Sequence, residues 1–306
     1  MALRSLLTTL ALGSSLLLGS SALAYDVYRY GVDQALKWGD NHLGTPGGVV
    51  TWSLVPDGTP FDPLIASHGW SGSSDLASVF AQVGGEAAAL DAIRAGFAAW
   101  EAVADVEFVE ISEVGGLAVG AADQAGAVVG HIRIGAFAFA PGDFAGAVGY
   151  APPPNGGTTL EGDVVFNASN RFGLPAGAEG DPFDLYPPPS FFYLNDFAGL
   201  FAHELGHALG LAHSDVPASL MCGYVDLAFD GSACHWADPD GDLHAPITRR
   251  PKPDDVAGVQ ALYGVPEPGL APMGFAGALG LAALARRRAR SSHGPPIGTL
   301  IRPSRV

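Results

Sequence analysis

The chain has 306 residues, enough for one large domain or two small ones, each with its own core. It carries 31 acidic against 15 basic residues, a formal net charge of −16. Residues 25–268 keep all 31 acids and only 8 of those bases, which excludes a body built to bind nucleic acid or anionic lipid.

In chain order, residues 1–24 read as a signal peptide. Arg4 supplies the charge, Leu6 to Leu18 are mostly apolar, and Ala22-Leu23-Ala24 offers a small-residue cleavage site. An uncleaved anchor or a buried first helix is the alternative. Residues 25–48 are polar with scattered aromatics. Val49–Leu54 ("VVTWSL") is β-branched and aromatic and predicts a buried strand. Residues 57–75, rich in Gly, Pro, Ser and Asp, predict a long surface loop. Leu90, Ile93, Phe97, Trp100 and Val103 recur at helical spacing, so Glu86–Val103 predicts an amphipathic helix packed on a sheet. Strands are expected at Val106–Ile111, His131–Phe139, Ala145–Ala151 and Asp163–Asn167. Residues 173–190 read as a Pro- and Gly-rich loop. A helix capped by Asn195 or Asp196 follows and stops at Gly210. The last helix, about Pro253–Tyr263, has Asp254 and Asp255 at its positive end.

The chain closes on Val265-Pro266-Glu267-Pro268, an apolar run from Gly269 to Ala285, and Arg286, Arg287, Arg288 and Arg290. This tripartite segment, residues 266–290, resembles the PEP-CTERM sorting tag of exported proteins of Gram-negative bacteria. The resemblance implies an exosortase-like sorting enzyme as a partner and a place in the cell envelope or outside the cell. A plain membrane anchor is the alternative. Residues 291–306 form a C-terminal tail.

The chemistry concentrates in "HELGHALGLAHS", residues 203–214. His203 and His207, four apart, share one face of a helix and can converge on one ion. His213 lies six residues further, which a continuing helix would carry about 9 Å along its axis at roughly 1.5 Å per residue. The helix must therefore stop, and Gly210 supplies the left-handed conformation that turns the chain back. Three imidazoles leave a fourth position open, the arrangement of a catalytic zinc.

The extended pattern HExxHxxGxxH, with Met221 eight residues beyond His213, resembles the metzincin zinc peptidases and their matrixin branch in particular. "TWSL" at 51–54, "AFAFAPG" at 136–142, "EGDVVFN" at 161–167 and "DDVAGVQALYG" at 254–264 continue the likeness. The resemblance implies an α+β fold and a catalytic domain at residues 25–265. Its twisted, mainly parallel five-stranded sheet would have one antiparallel edge strand, placed at Ala145–Ala151, and would pack on helices. It implies an exported endopeptidase with one catalytic zinc on His203, His207 and His213. Extended protein substrates would be cut through a zinc-bound water, with Glu204 as general base and Met221 as the Met-turn beneath the metal. The rival reading is a non-catalytic, zinc-stabilised surface or extracellular-matrix binding protein on the same scaffold, which would have no need of Glu204.

Animal matrixins hold a second, structural zinc, and two of its histidine positions are Val148 and Val165 here, so no structural zinc of that kind is expected. The family's cysteine switch is also missing, since no cysteine precedes Cys222. Cys222 and Cys234 are candidates for a disulfide in an exported chain, with a pair of free thiols as the alternative. Asp238, Asp240 and Asp242 in "DPDGDLH" offer hard oxygen ligands for calcium, or form a solvated acidic turn.

Overall fold

The computed structural model describes residues 25–187, 193–217, 219–223, 236–237 and 243–266. In chain order the elements are β1 (Gly48–Leu54), a 3-10 helix (Pro63–His68), α1 (Leu76–Gln82), α2 (Glu86–Glu101), β2 (Val106–Glu110), β3 (Ile132–Phe137), β4 (Ala147–Gly149) and β5 (Val164–Asn167). They continue with β6 (Arg171–Gly173), β7 (Pro182–Asp184), β8 (Leu194–Asp196), α3 (Phe197–Ala208), β9 (Trp236–Ala237), β10 (Leu243–Pro246) and α4 (Pro253–Tyr263). All belong to one unit that ends at Val265; of the second, Pro266–Val306, only Pro266 is described.

The expected α+β architecture is present. The main sheet runs β2-β1-β3-β5-β4, with the first four strands parallel and β4 antiparallel at the edge. Parallel neighbours need long crossovers, and α1 with α2 carries the chain from β1 to β2. The period of two then sorts side chains. Val50, Trp52, Ile132, Ile134, Val164 and Phe166 meet the helices, where they join Ile93, Phe97 and Trp100 of α2 and Phe197, Phe201 and Leu205 of α3. Trp52 stacks on Phe97 at 4.7 Å, and the Trp100 indole N–H donates to the Ala202 carbonyl at 2.9 Å. A Cβ at Gly96 would come within 2.7 Å of the Phe201 ring, so only glycine lets α2 and α3 approach this closely.

Parallel strands require cover on both faces. That requirement corrects the expectation for residues 57–75, which are not simply a surface loop. They contain the 3-10 helix and bury Ile65 and Trp70 against the outer face with Val55, Phe137, Phe139, Leu160 and Val165. Trp70 stacks on Phe137 at 5.1 Å and on Phe139 at 5.9 Å. Arg133 of β3 is also buried there. It donates to both carboxylate oxygens of Glu113 at 2.7 Å and to the carbonyls of Leu117 and Ala118.

Two small sheets arise where the sequence suggests only loops. β6 pairs with β8 just before α3. β7 pairs with β10, which also pairs with β9, so residues 182–184 reach across to the segment that follows Met221.

Candidate metal centre

Helix α3 positions the site through both of its ends. Asp196 occupies the N-cap position, but its carboxylate is turned to the Arg249 guanidinium, which donates from Nε at 2.8 Å and Nη2 at 2.9 Å. At the other end Gly210 has φ +100°. Its N–H donates to the His207 carbonyl at 2.8 Å and that of Leu211 to the Gly206 carbonyl at 3.0 Å. This pair of bonds is the Schellman termination that a left-handed glycine permits. The remaining carbonyls are met from outside the helix. Trp38 donates its indole N–H to Ala208, the Tyr263 hydroxyl donates to Leu209, and the Tyr28 N–H donates to Gly210.

The turn brings the three histidines together. One nitrogen from each of His203, His207 and His213 lies within 4.8 Å of the others, the one cluster of this kind among the described residues. Nε2 of His207 and Nε2 of His213 are 3.1 Å apart. Nδ1 of His203 is 2.7 Å from the Leu220 carbonyl, and Nδ1 of His207 is 2.8 Å from the Leu211 carbonyl. A carbonyl only accepts, so in both rings Nδ1 carries the proton and Nε2 presents its lone pair. Burial lowers His203 to about 3 and His207 to about 4, and lowers His213 as well. Neutral imidazoles with converging lone pairs are the donor set a zinc ion requires.

Glu204 is buried beside them and meets the edge strand. Asn167 N–H donates to Gly146 O and Tyr150 N–H to Asp163 O, so the polar groups of Ala147 and Gly149 fall on the free side of β4. There the Gly149 N–H donates to Glu204 Oε2 at 2.6 Å. Burial raises the Glu204 carboxyl to about 8, and the Gly149 N–H opposes part of that rise. A Cβ at Gly149 would collide with the Glu204 backbone carbonyl, so glycine is needed for the strand to pass this close. Gly206 plays the same part below, where any Cβ would strike the sulfur of Met221. Neither Gly149 nor Gly206 is among the residues the sequence motifs mark. A glycine inside a strongly helical pattern is the available signal for the second.

Asp254 and Asp255, expected only to favour the start of α4, are buried and hold the loops below the histidines. Ser214 donates to Asp254 at 2.6 Å. Asp255 accepts from the Ser219 hydroxyl, from Leu220 N–H at 2.7 Å and from Met221 N–H at 2.9 Å. Cys222 is disulfide-bonded; Cys234, and Asp238, Asp240 and Asp242 of the candidate calcium turn, lie outside the described residues.

Comparisons with known proteins agree with this geometry. The matrixin family model matches residues 81–264, more than half of the chain. Macrophage metalloelastase of Oryctolagus cuniculus is 30% identical over 185 residues, 58% of this chain and 29% of its own length. Matrix metalloproteinase-19 of Homo sapiens is 43% identical over 67 residues, 22% of this chain and 10% of its own. Serralysin B of Dickeya chrysanthemi is 35% identical over 78 residues, 21% of this chain and 16% of its own. The chain thus spans less than a third of the length of each of these relatives. The three converging histidines and the extent of the family match together show that this chain belongs to the matrixin family.

Proposed function

We propose that the chain is an exported zinc-dependent endopeptidase that hydrolyses peptide bonds of extended protein substrates. The observation that carries the reading is the placement of Glu204, buried beside three converging imidazoles and bonded to the free edge strand. His203, His207 and His213 hold the zinc. Bound there, zinc supplies Lewis acidity, polarising a scissile carbonyl and bringing the pKa of water towards about 7.

The protein's own groups do the rest. An extended peptide adds to the β4 edge through the outward N–H and carbonyl of Ala147 and the carbonyl of Gly149, whose N–H is held by Glu204, and this sets its register. Glu204 Oε1 and Oε2 accept a proton from the attacking water and deliver it to the leaving amine. Burial raises the free carboxyl, and the charge of a zinc held by the adjacent histidines would oppose that rise and keep Glu204 ionised, the form a base needs. Met221, packed against Gly206, supports the histidines from below. A Cys222–Cys234 disulfide would stiffen the loop after the Met-turn.

The signal peptide at 1–24, the sorting segment at 266–290 and its exosortase-like partner belong to the same proposal. They rest on the sequence pattern. Calcium at Asp238, Asp240 and Asp242 is an accessory expectation. No second zinc is expected, since Val148 and Val165 offer hydrocarbon at the positions the family likeness gives to histidine.

Cleavage of an unstructured protein such as casein tests the reading. Activity should vanish on chelation, return with added zinc, and be absent in His213→Ala together with the metal. A protein that retains one zinc yet cleaves nothing in a broad peptide library would instead support the non-catalytic scaffold.

A further inference from the structure

Residues 26–28 lie outside the family match, which begins at residue 81, yet they run along the turn that leads from His207 to His213. Ala212 N–H donates to the Asp26 carbonyl at 2.9 Å, Tyr28 N–H donates to Gly210 at 3.0 Å, and Val27 bridges Leu211 in antiparallel fashion. On the other side Leu36 N–H donates to the Tyr28 carbonyl at 2.7 Å. The backbone of Tyr28 is therefore fixed from both sides. Strand-like alternation sends Val27 into the core, where it is 4% exposed, and sends Tyr28 the other way.

The Tyr28 ring meets His207 at 6.2 Å between centroids, and its hydroxyl oxygen lies 3.4 Å from Nδ1. That nitrogen carries a proton already shared with the Leu211 carbonyl at 2.8 Å. The hydroxyl oxygen is a second acceptor for the same proton. Nδ1 is the ring nitrogen opposite the one that faces the other histidines, so Tyr28 stands behind His207 and outside the ligand set.

We propose that Tyr28 is a positioning residue of the metal centre that acts through His207. Two acceptors on one N–H fix the plane of the imidazole about the direction its Nε2 lone pair must take, and they raise the electron density available there. Loss of such an outer partner typically lowers metal affinity by 10- to 100-fold. At 3.4 Å the contact is long and the carbonyl bond survives its loss, so the lower end of that range applies. This inference rests on the zinc reading above and extends it to a residue far from the motif in sequence.

The test is Tyr28→Phe in the full chain, which keeps the ring and removes only the hydroxyl. Zinc dissociation constants from competition with a chromophoric chelator, the visible absorption of the cobalt(II)-substituted protein, and the melting of the metal-free protein are measured together. A roughly 10-fold weaker zinc complex, a shifted cobalt band and an unchanged metal-free midpoint are expected. Zinc affinity and cobalt spectrum equal to wild type, whatever the midpoint does, would overturn the proposal. Wild-type protein that binds no zinc in the same competition would instead overturn the metal-centre reading on which it rests.

Discussion

On the face of the main sheet turned to the helices, hydrocarbon from Trp52, Phe97, Phe166 and Phe201 leads down to buried polar groups, and His203, Glu204 and His207 are each held by a backbone partner. On the opposite face the cover is mostly aromatic and aliphatic: Trp70 on Phe137 and Phe139, with Phe61 edge-on to Trp70 and Phe137. Val148 and Val165 stand opposite each other in the β4–β5 ladder on that side. The inner face spends its specificity on a few hydrogen bonds and close glycine approaches. The outer face relies on buried area, which is non-directional. Substitutions should therefore separate by face, with inner changes striking activity and outer changes striking stability.

The largest stability effect belongs to the outer face. Trp70→Ala removes a side chain that is 7% exposed and leaves a cavity between two phenylalanines. It should cost about 3–5 kcal/mol of unfolding free energy, read by urea denaturation, while folded protein at low temperature keeps its zinc stoichiometry. Loss of the metal with the fold intact would break the division between faces.

Gly206→Ala gives a smaller and mixed result. Alanine favours the α3 helix by about 1 kcal/mol, but its methyl group must displace Met221 at an overpacking cost of about 1–3 kcal/mol. Net destabilisation of at most about 2 kcal/mol follows from these two figures, accompanied by a measurable fall in kcat. A variant more stable than wild type with full activity would show that Met221 yields freely. The smallest effect is expected at Arg94, whose exposed pairing with Glu110 joins α2 to β2 on neither buried face. Solvent screens such a pair, and Arg94→Ala should leave both the thermal midpoint and the activity at wild-type values.

Much of this was legible in the sequence because the relevant signals are periodic or local. Leu90, Ile93, Phe97 and Trp100 mark α2, the spacing of His203, His207 and His213 demands the turn at Gly210, and β-branched runs mark β1 and β5. Other features depend on long-range contacts that no window reveals. α1 is only seven residues, "LASVFAQ", and owes its start to Asp75, whose side chain accepts from Ser78 N–H. The burial of Trp70 follows from the need to cover a parallel sheet. Residues 25–48 look like a polar lead-in, yet Tyr28 and Trp38 close the end of α3. The pairing of β7 with β10 joins residues about 60 apart, and each strand carries a proline that weakens its local signal. At the site, Glu204 was readable from its motif, whereas its partner Gly149 N–H was not, because a backbone donor leaves no mark on composition.

On the proposed mechanism Glu204 acts as base beside a metal held by the three histidines. Glu204→Gln keeps the shape of the side chain and removes its basicity. Metal content and kcat/KM on an unstructured protein substrate, measured on the same preparation, separate the role of base from that of metal support. Wild-type zinc content with kcat/KM lowered by about 10²- to 10⁴-fold is expected. A Glu204→Gln protein that holds zinc and cleaves at the wild-type rate would contradict it.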